Sequence, residues 1–297
     1  MTNKMKDLGD TSVASRLLVF GGCYSNLAAT QAMQAVALKL DINPQQIICT
    51  GDLIAYCAEP VEVIDLIQDW GIHVLMGNCE ESLGFEQLDC GCGFEQTSAC
   101  SALSIAWYRY ASQRVTSEHR IWMKALPRLI EFQFQSSRFS VVHGSVASIN
   151  QFVFPSTAAE MKLVQIHQAG ADVVIGGHSG IPFGQPFGDD ASKRKVWLNS
   201  GVIGMPANDG SADGWYMLIE AGNLSVNSGY RVSWHRLSYD AKASQASTQK
   251  AGMVEYAESL TTGLWPSMDI LPITEQGQQG QRLDIKAITI ADSNERP

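Results

Sequence analysis

Positive charge is scarce in this sequence: 21 Lys and Arg stand against 30 Asp and Glu, for a formal net charge of −9 over 297 residues. Binding a phosphate backbone needs clustered cations, so the composition argues against a general nucleic-acid binder, and a nucleic-acid duplex is not expected as a partner. The one basic cluster, Lys193-Arg194-Lys195, reads as a solvated hairpin tip. Long apolar runs are also missing. No stretch of 18 apolar residues occurs, and the opening MTNKMKDLGDTS has no apolar core of leader length, so a soluble, cytoplasmic protein without a membrane partner is expected. Seven cysteines, an odd number without an export signal, point to reduced thiols and away from a disulfide scaffold. The last absence is local. Residues 21–30, GGCYSNLAAT, follow the strand-like LLVF yet hold no carboxylate, no His and no phosphate-cradling glycine pattern. Ser25 stands where it can cap a helix running through Leu27, Met33 and Val36.

A hydrophobic content of 45% is enough for a large core. Short β-rich runs at 17–20, 46–49 and 72–76 alternate with helical patterns at 25–40 and 59–70, the signature of βαβαβ and a parallel sheet. From about 81 to 126 a loop, DCGCGFEQTS, leads into helix-rich sequence that reads as a helical flap insertion. A hairpin about residues 135–137, a helix at 156–169 and the strand DVVIGG follow, and VWLNSG, WYMLIE and RVSWHRLSY predict a second, largely antiparallel sheet. The main domain is expected over 13–240. The tail, 241–297, is too polar for a core of its own and is expected to pack on the body or fray, starting with a helix in QKAGMVEYAESL. Trp107, Trp122, Trp197, Trp215, Trp234 and Trp265 read as packing residues, and Gly-Leu-Trp-Pro-Ser at 263–267 as an anchor for the tail.

In α/β sheets ligands collect beyond the carboxyl ends of strands. After IICT comes Gly51-Asp52, after HVLM comes Gly77-Asn78-Cys79-Glu80, after FSVV comes His143-Gly144, and after DVVIG comes Gly177-His178-Ser179-Gly180. Four loops thus supply an Asp, an Asn and two His, donors suited to one divalent cation such as Mn²⁺, Fe²⁺ or Zn²⁺. Each alone has a structural explanation as a turn or a hydrogen-bonded histidine. Their order, with a glycine beside each donor, gives them joint weight.

With these blocks the sequence resembles the calcineurin-like metallophosphoesterase superfamily, whose pattern is D-x-H, G-D, G-N-[H/C]-[D/E], a strand-end His, and G-H-x-H. TGDLIAYCAEP, GNCE, VVHG and GGHS match the later blocks, and NSGVIGMPANDG is similar to a further stretch, so that the likeness runs over about 17–220. The resemblance implies a four-layer sandwich of two mixed β-sheets flanked by helices. It also implies a second-metal ligand set of Asp52, Asn78, His143 and His178, complete here. In the first block Gly22 stands at the Asp position and Tyr24 at the His, and Gly180 stands at the last His, so of the first metal's ligands only Asp52 is present.

The function expected from this pattern is metal-dependent phosphoester hydrolysis, of a monoester or a diester, with one cation per chain and a small phosphorylated substrate or phosphate as partner. Cys79, at the family's acid position, and Glu80 are the candidates for proton transfer. Cys23, Tyr24, Asn26, Ser179 and Asn208 are the candidate substrate contacts, and Cys23 and Tyr24 are also candidate replacement ligands. The alternative is a catalytically inactive binding or regulatory protein. Cys90, Cys92 and Cys100 lack the C-x₂-C spacing of zinc knuckles and read as cysteines packing the flap, close to the metal pocket if the flap folds over the strand ends.

Overall fold

The computed structural model describes residues 4–93, 98–188, 195–222 and 229–291; Lys193 and Arg194 of the basic cluster lie outside the described residues. In chain order the elements begin with β1 (Met5–Asp10), β2 (Arg16–Phe20), α1 (Leu27–Lys39), β3 (Ile47–Cys49), α2 (Pro60–Trp70) and β4 (His73–Val74). The flap supplies α3 (Asn78–Gly84), α4 (Ala99–Ser112) and α5 (Ser117–Ala125). Then come β5 (Leu129–Phe134), β6 (Ser137–Val141), α6 (Ala159–Gln168), β7 (Val173–Gly176), β8 (Phe183–Phe187) and β9 (Lys195–Asn199). The last elements are β10 (Gly214–Ala221), β11 (Gly229–Leu237), α7 (Ala241–Lys250), α8 (Val254–Thr262), α9 (Ile273–Gln276) and β12 (Ile288–Ala291).

These strands form two six-stranded mixed sheets, ordered β1-β5-β6-β7-β9-β8 and β12-β11-β10-β2-β3-β4. Because successive side chains of a strand point to opposite faces, and both faces of this sheet are covered here, residues 17–20 of β2 and all of β3 are apolar. Leu17, Val19 and Ile48 point into the space between the sheets, against Phe139, Val141, Val173 and Ile175. Leu18, Phe20, Ile47 and Cys49 point the other way, against Met33 of α1 and Val63 and Ile67 of α2. On the far side Ile166 of α6 covers Val174 and Trp197. The result is two sheets face to face with helices on both outer faces. No helix among the described residues is long and apolar enough to cross a membrane.

Phe139 lies at the centre of the inter-sheet layer. It is fully buried, its ring centroid 4.8 Å from Phe132 and 5.4 Å from Tyr230. Phe139→Ala is therefore expected to cost about 3–5 kcal/mol, read as a drop in the urea midpoint at unchanged slope.

Several expectations are corrected. VWLNSG does not join WYMLIE and RVSWHRLSY: β9 runs parallel to β7 in one sheet, whereas β10 pairs with β2 in the other. The polar opening of the chain forms β1, which pairs with β5 and relies on a neighbour's backbone hydrogen bonds rather than on apolar burial. The helix expected over 249–260 is two helices, interrupted at Gly252 with φ +92°. Asn26, not Ser25, caps α1, its Oδ1 accepting from the Ala29 amide at 3.1 Å. Cys90 and Cys92, expected as thiols, are joined in a disulfide, while Cys23, Cys49, Cys57, Cys79 and Cys100 are free.

Candidate metal centre

Asp52 follows β3, and Asn78 opens α3 just after β4; both strands belong to one sheet. His143 follows β6 and His178 follows β7, in the other sheet. The four side chains meet where the carboxyl ends of both sheets adjoin, so the site straddles the seam of the sandwich. All four are buried, none more than 8% exposed.

His143 Nε2 lies 3.1 Å from Asn78 Oδ1, 3.1 Å from His178 Nδ1 and 3.2 Å from Asp52 Oδ2. His178 Nδ1 lies 3.9 Å from the same carboxylate oxygen. The outer atoms of these side chains settle which protons they carry. His143 Nδ1 sits 2.7 Å from the Thr50 carbonyl and His178 Nε2 3.3 Å from the Cys92 carbonyl; a carbonyl only accepts, so these ring nitrogens bear the hydrogens and the inner ones are bare in the neutral rings. Asn78 Nδ2 donates to the Cys90 carbonyl at 2.9 Å, which turns Oδ1 inward. Four lone-pair atoms thus converge with no donor among them, and a divalent cation satisfies all four together. Second-neighbour hydrogen bonds of this kind are how proteins aim metal ligands. The ligand atoms of Asp52, His143 and His178 fall within 4.8 Å of one another, a spacing that suits one ion.

Titration behaviour agrees with a cation-seeking cluster. Burial acting alone would raise the Asp52 carboxyl; when no cation is bound, a proton taken up on the inner nitrogen of an imidazole brings a charge, chiefly at His143, and a hydrogen bond that outweigh burial and hold the carboxyl well below the usual carboxylate range. Burial depresses both imidazoles; at His143 the Asp52 charge overcomes this and the net shift is upward, while His178 stays below its ordinary value.

The loops that carry Asp52 and Asn78 are bolted together by Glu80. Its carboxylate accepts the amides of Asp52 at 2.8 Å, Leu53 at 2.7 Å and Gly77 at 2.9 Å. With both oxygens so engaged, Glu80 acts as a positioning residue; burial and the Asp52 charge push its carboxyl up to about 7. The two loops touch so closely that a Cβ on Gly77 would stand 2.3 Å from Asp52 Oδ1. Cys79 donates its amide to Asp52 Oδ1 at 3.2 Å, and burial, with the Asp52 and Glu80 charges, keeps its thiol protonated.

Among the remaining candidates only Tyr24 and Ser179 face the cavity beside the centre. Cys23 is fully buried in the core. Asn26 is spent on structure, holding the Gly204 carbonyl at 2.9 Å and accepting from Ser244 Oγ at 2.7 Å. Asn208 accepts the Trp265 amide at 2.8 Å and so fastens the C-terminal segment instead of facing substrate. The sequence reading passed over Thr50, whose carbonyl aims His143, and Tyr56, Phe152 and Tyr256, which line the cavity; no short-range pattern marks them.

Where the resemblance would place the other metal, the protein has side chains. A Cβ on Gly22 would meet Val202 Cγ1 at 2.5 Å and the Tyr24 ring at 2.7 Å, and one on Gly180 would meet the Trp265 ring at 3.7 Å. Tyr24, Ser25, Asp52 and Tyr56 all hold left-handed backbone, φ 48–57°. Such conformations in non-glycine residues are strained and persist only where surrounding structure enforces them. Here they gather around one site.

Comparison with known proteins gives a consistent picture. The family model described as calcineurin-like phosphoesterase matches residues 8–203. An uncharacterised protein of Methanocaldococcus jannaschii is 25% identical over 259 residues, covering 82% of this chain and 96% of its own. A metallophosphoesterase of Sphaerobacter thermophilus superposes with a TM-score of 0.62 at 19% identity, over 84% of this chain and all of its own. A hypothetical protein of Pyrococcus horikoshii does so at 0.65 and 15%, over 84% of this chain and 99% of its own. At these identities the two structures speak for the fold.

Proposed function

This chain belongs to the calcineurin-like phosphoesterase family, and on that premise we propose that it hydrolyses small phosphate esters with one divalent cation, Mn²⁺, Fe²⁺ or Zn²⁺, held by Asp52, Asn78, His143 and His178. The observation that carries the reading is the convergence of four buried lone-pair atoms, each side chain held on its outer side by a backbone carbonyl or amide. A cation there supplies Lewis acidity, polarising a phosphoryl oxygen and making a water a better nucleophile at neutral pH. The chain's own residues do the rest. Asp52 provides the negative charge, Thr50 and Cys92 fix the ring tautomers, and Glu80 holds the two loops at their spacing. The Cys79 thiol, held protonated by burial, is the proposed proton donor to a departing alkoxide oxygen. The absence of a donor side chain at Gly22 and Gly180, with the crowding at Gly22, supports a single-ion site and also favours a second reading, a phosphate-binding protein without turnover.

The test is elemental analysis of protein purified without added metal, together with hydrolysis of 4-nitrophenyl phosphate and bis(4-nitrophenyl) phosphate in Mn²⁺. One equivalent of metal with metal-dependent turnover is the expected result. One equivalent, no turnover with either ester, and a higher melting temperature in phosphate would establish the second reading.

The Cys90-Gly91-Cys92 segment offers a further check, because its two cysteine carbonyls hold Asn78 and His178. Freeing that segment, by a dithiol reductant or by a Cys90→Ser/Cys92→Ser double variant, is expected to weaken cation affinity about 10–100-fold, measured by calorimetric titration with Mn²⁺. Unchanged affinity would remove the segment from the site.

A further inference from the structure

Beside the metal centre lies a cavity of about 70 Å³, reached from the surface past the half-exposed Leu103, Trp265 and Ile270, with His178 forming its inner wall. Its lining is aromatic and apolar. Tyr56 stacks on Tyr256 with centroids 4.6 Å apart, Tyr24 leans on Tyr56 at 4.7 Å, and Phe152 lies 4.2 Å from the His178 ring. No Lys or Arg lines it, so it has no charge with which to grip a polyphosphate tail. Two hydroxyls stand in this apolar wall: Tyr24, only 5% exposed, and Tyr56 have no hydrogen-bond partner among the described residues. Both residues line the cavity and neither hydroxyl is a sealed, orphaned atom, so a ligand oxygen entering the cavity can reach them. Trp265 is held against the opening by two bonds, its amide to Asn208 Oδ1 at 2.8 Å and its Nε1 to the Pro206 carbonyl at 2.7 Å. Tyr24 and Tyr56 both hold left-handed backbone at this wall, φ 51° and 48°.

We propose that this cavity is a subsite for a single aromatic ring, and that the substrates of the adjoining centre are phosphate esters of small aryl-bearing alcohols. The ring enters between Tyr56, Tyr256 and Trp265, the phosphoryl group lies toward Asp52 and His178, and the Tyr24 hydroxyl donates to an ester oxygen. Enclosed space of about 150 Å³ accepts a benzene ring; this smaller cavity admits a ring because one side is open. The substrate assignment rests on the phosphoesterase reading, whereas the ring subsite does not.

The experiment separates the two. Benzylphosphonate and ethylphosphonate, neither hydrolysable, are titrated calorimetrically into the protein as isolated, and benzyl phosphate and ethyl phosphate are assayed for turnover. Benzyl alcohol and ethanol differ little in acidity, so a preference between these esters reports ring binding and not leaving-group ability. Burial and stacking of the ring predict about ten- to a hundred-fold tighter binding of benzylphosphonate, a similar preference in kcat/KM, and a fall of both ratios toward one in Trp265→Ala. Tyr56→Leu serves as a second variant should loss of the Trp265 anchor disturb folding. Equal affinity for the two phosphonates, or a preference that survives both variants, overturns the subsite. A clear phosphonate preference with neither ester hydrolysed leaves the subsite standing and overturns turnover.

Discussion

Asp52→Ala is expected to abolish cation binding and to lower metal-dependent turnover by ~10³ or more, since a Lewis acid contributes several kcal/mol to such a reaction. Asp52 is the only anion among the four inner donors, and its Oδ2 lies within 3.9 Å of both imidazoles. Without it, three neutral groups face the ion and none offsets the cost of stripping its water. His178→Ala is expected to do nearly as much, because it removes a nitrogen 3.1 Å from His143 Nε2 and releases the Cys92 carbonyl. Neither change should unfold the chain. Both side chains lie at the rim of the sandwich, outside the inter-sheet core, and the Asp52 amide keeps its bond to Glu80. The measurements are metal per chain after dialysis, turnover, and far-UV circular dichroism. Full activity in both variants with the fold intact would overturn the single-cation reading.

Glu80→Ala has the larger effect on stability. It strands three amides, those of Asp52, Leu53 and Gly77, in a region without solvent access. An unsatisfied buried amide costs about 1–3 kcal/mol, so the sum is at least about 3 kcal/mol even at the low end, against a typical total of about 5–15 kcal/mol. Relief of burying the carboxyl offsets part of this, which is why the low end is taken. Glu80→Gln separates packing from hydrogen bonding. The side chain keeps its volume and one oxygen can still accept from Asp52 and Gly77, but its NH₂ confronts the Leu53 amide, for a loss of about 1–2 kcal/mol. Urea unfolding gives both numbers. If Glu80→Ala unfolds at the wild-type midpoint, the three bonds do not hold the loops together. Cation affinity should fall in the same order, Ala below Gln below wild type, because the bond to Asp52 sets where its carboxylate stands.

Local sequence was sufficient for whatever depends on one element at a time. The apolar runs 17–20, β3 and β7 and the glycine beside each donor at a strand end are written in adjacent residues, so those strands and the positions of Asp52, Asn78, His143 and His178 were legible, while the two-sheet architecture followed from the family resemblance of the ordered blocks. Sheet membership was not: VWLNSG, WYMLIE and RVSWHRLSY look alike as strands, and which sheet each joins depends on partners more than a hundred residues away for β10 with β2. Nor could β1 be read, a polar strand stabilised by a neighbour's backbone.

By itself the sequence determined the donor types, their order and the loss of donors at Gly22, Tyr24 and Gly180, because these are identities at single positions. Tertiary structure alone decided that donors from two sheets meet at one seam, that Glu80 faces three amides, that Asn26 and Asn208 serve the framework, and that Trp265 stands at the cavity beside Gly180. Those outcomes depend on where side chains from distant segments point, a matter of packing geometry that no local window of residues encodes.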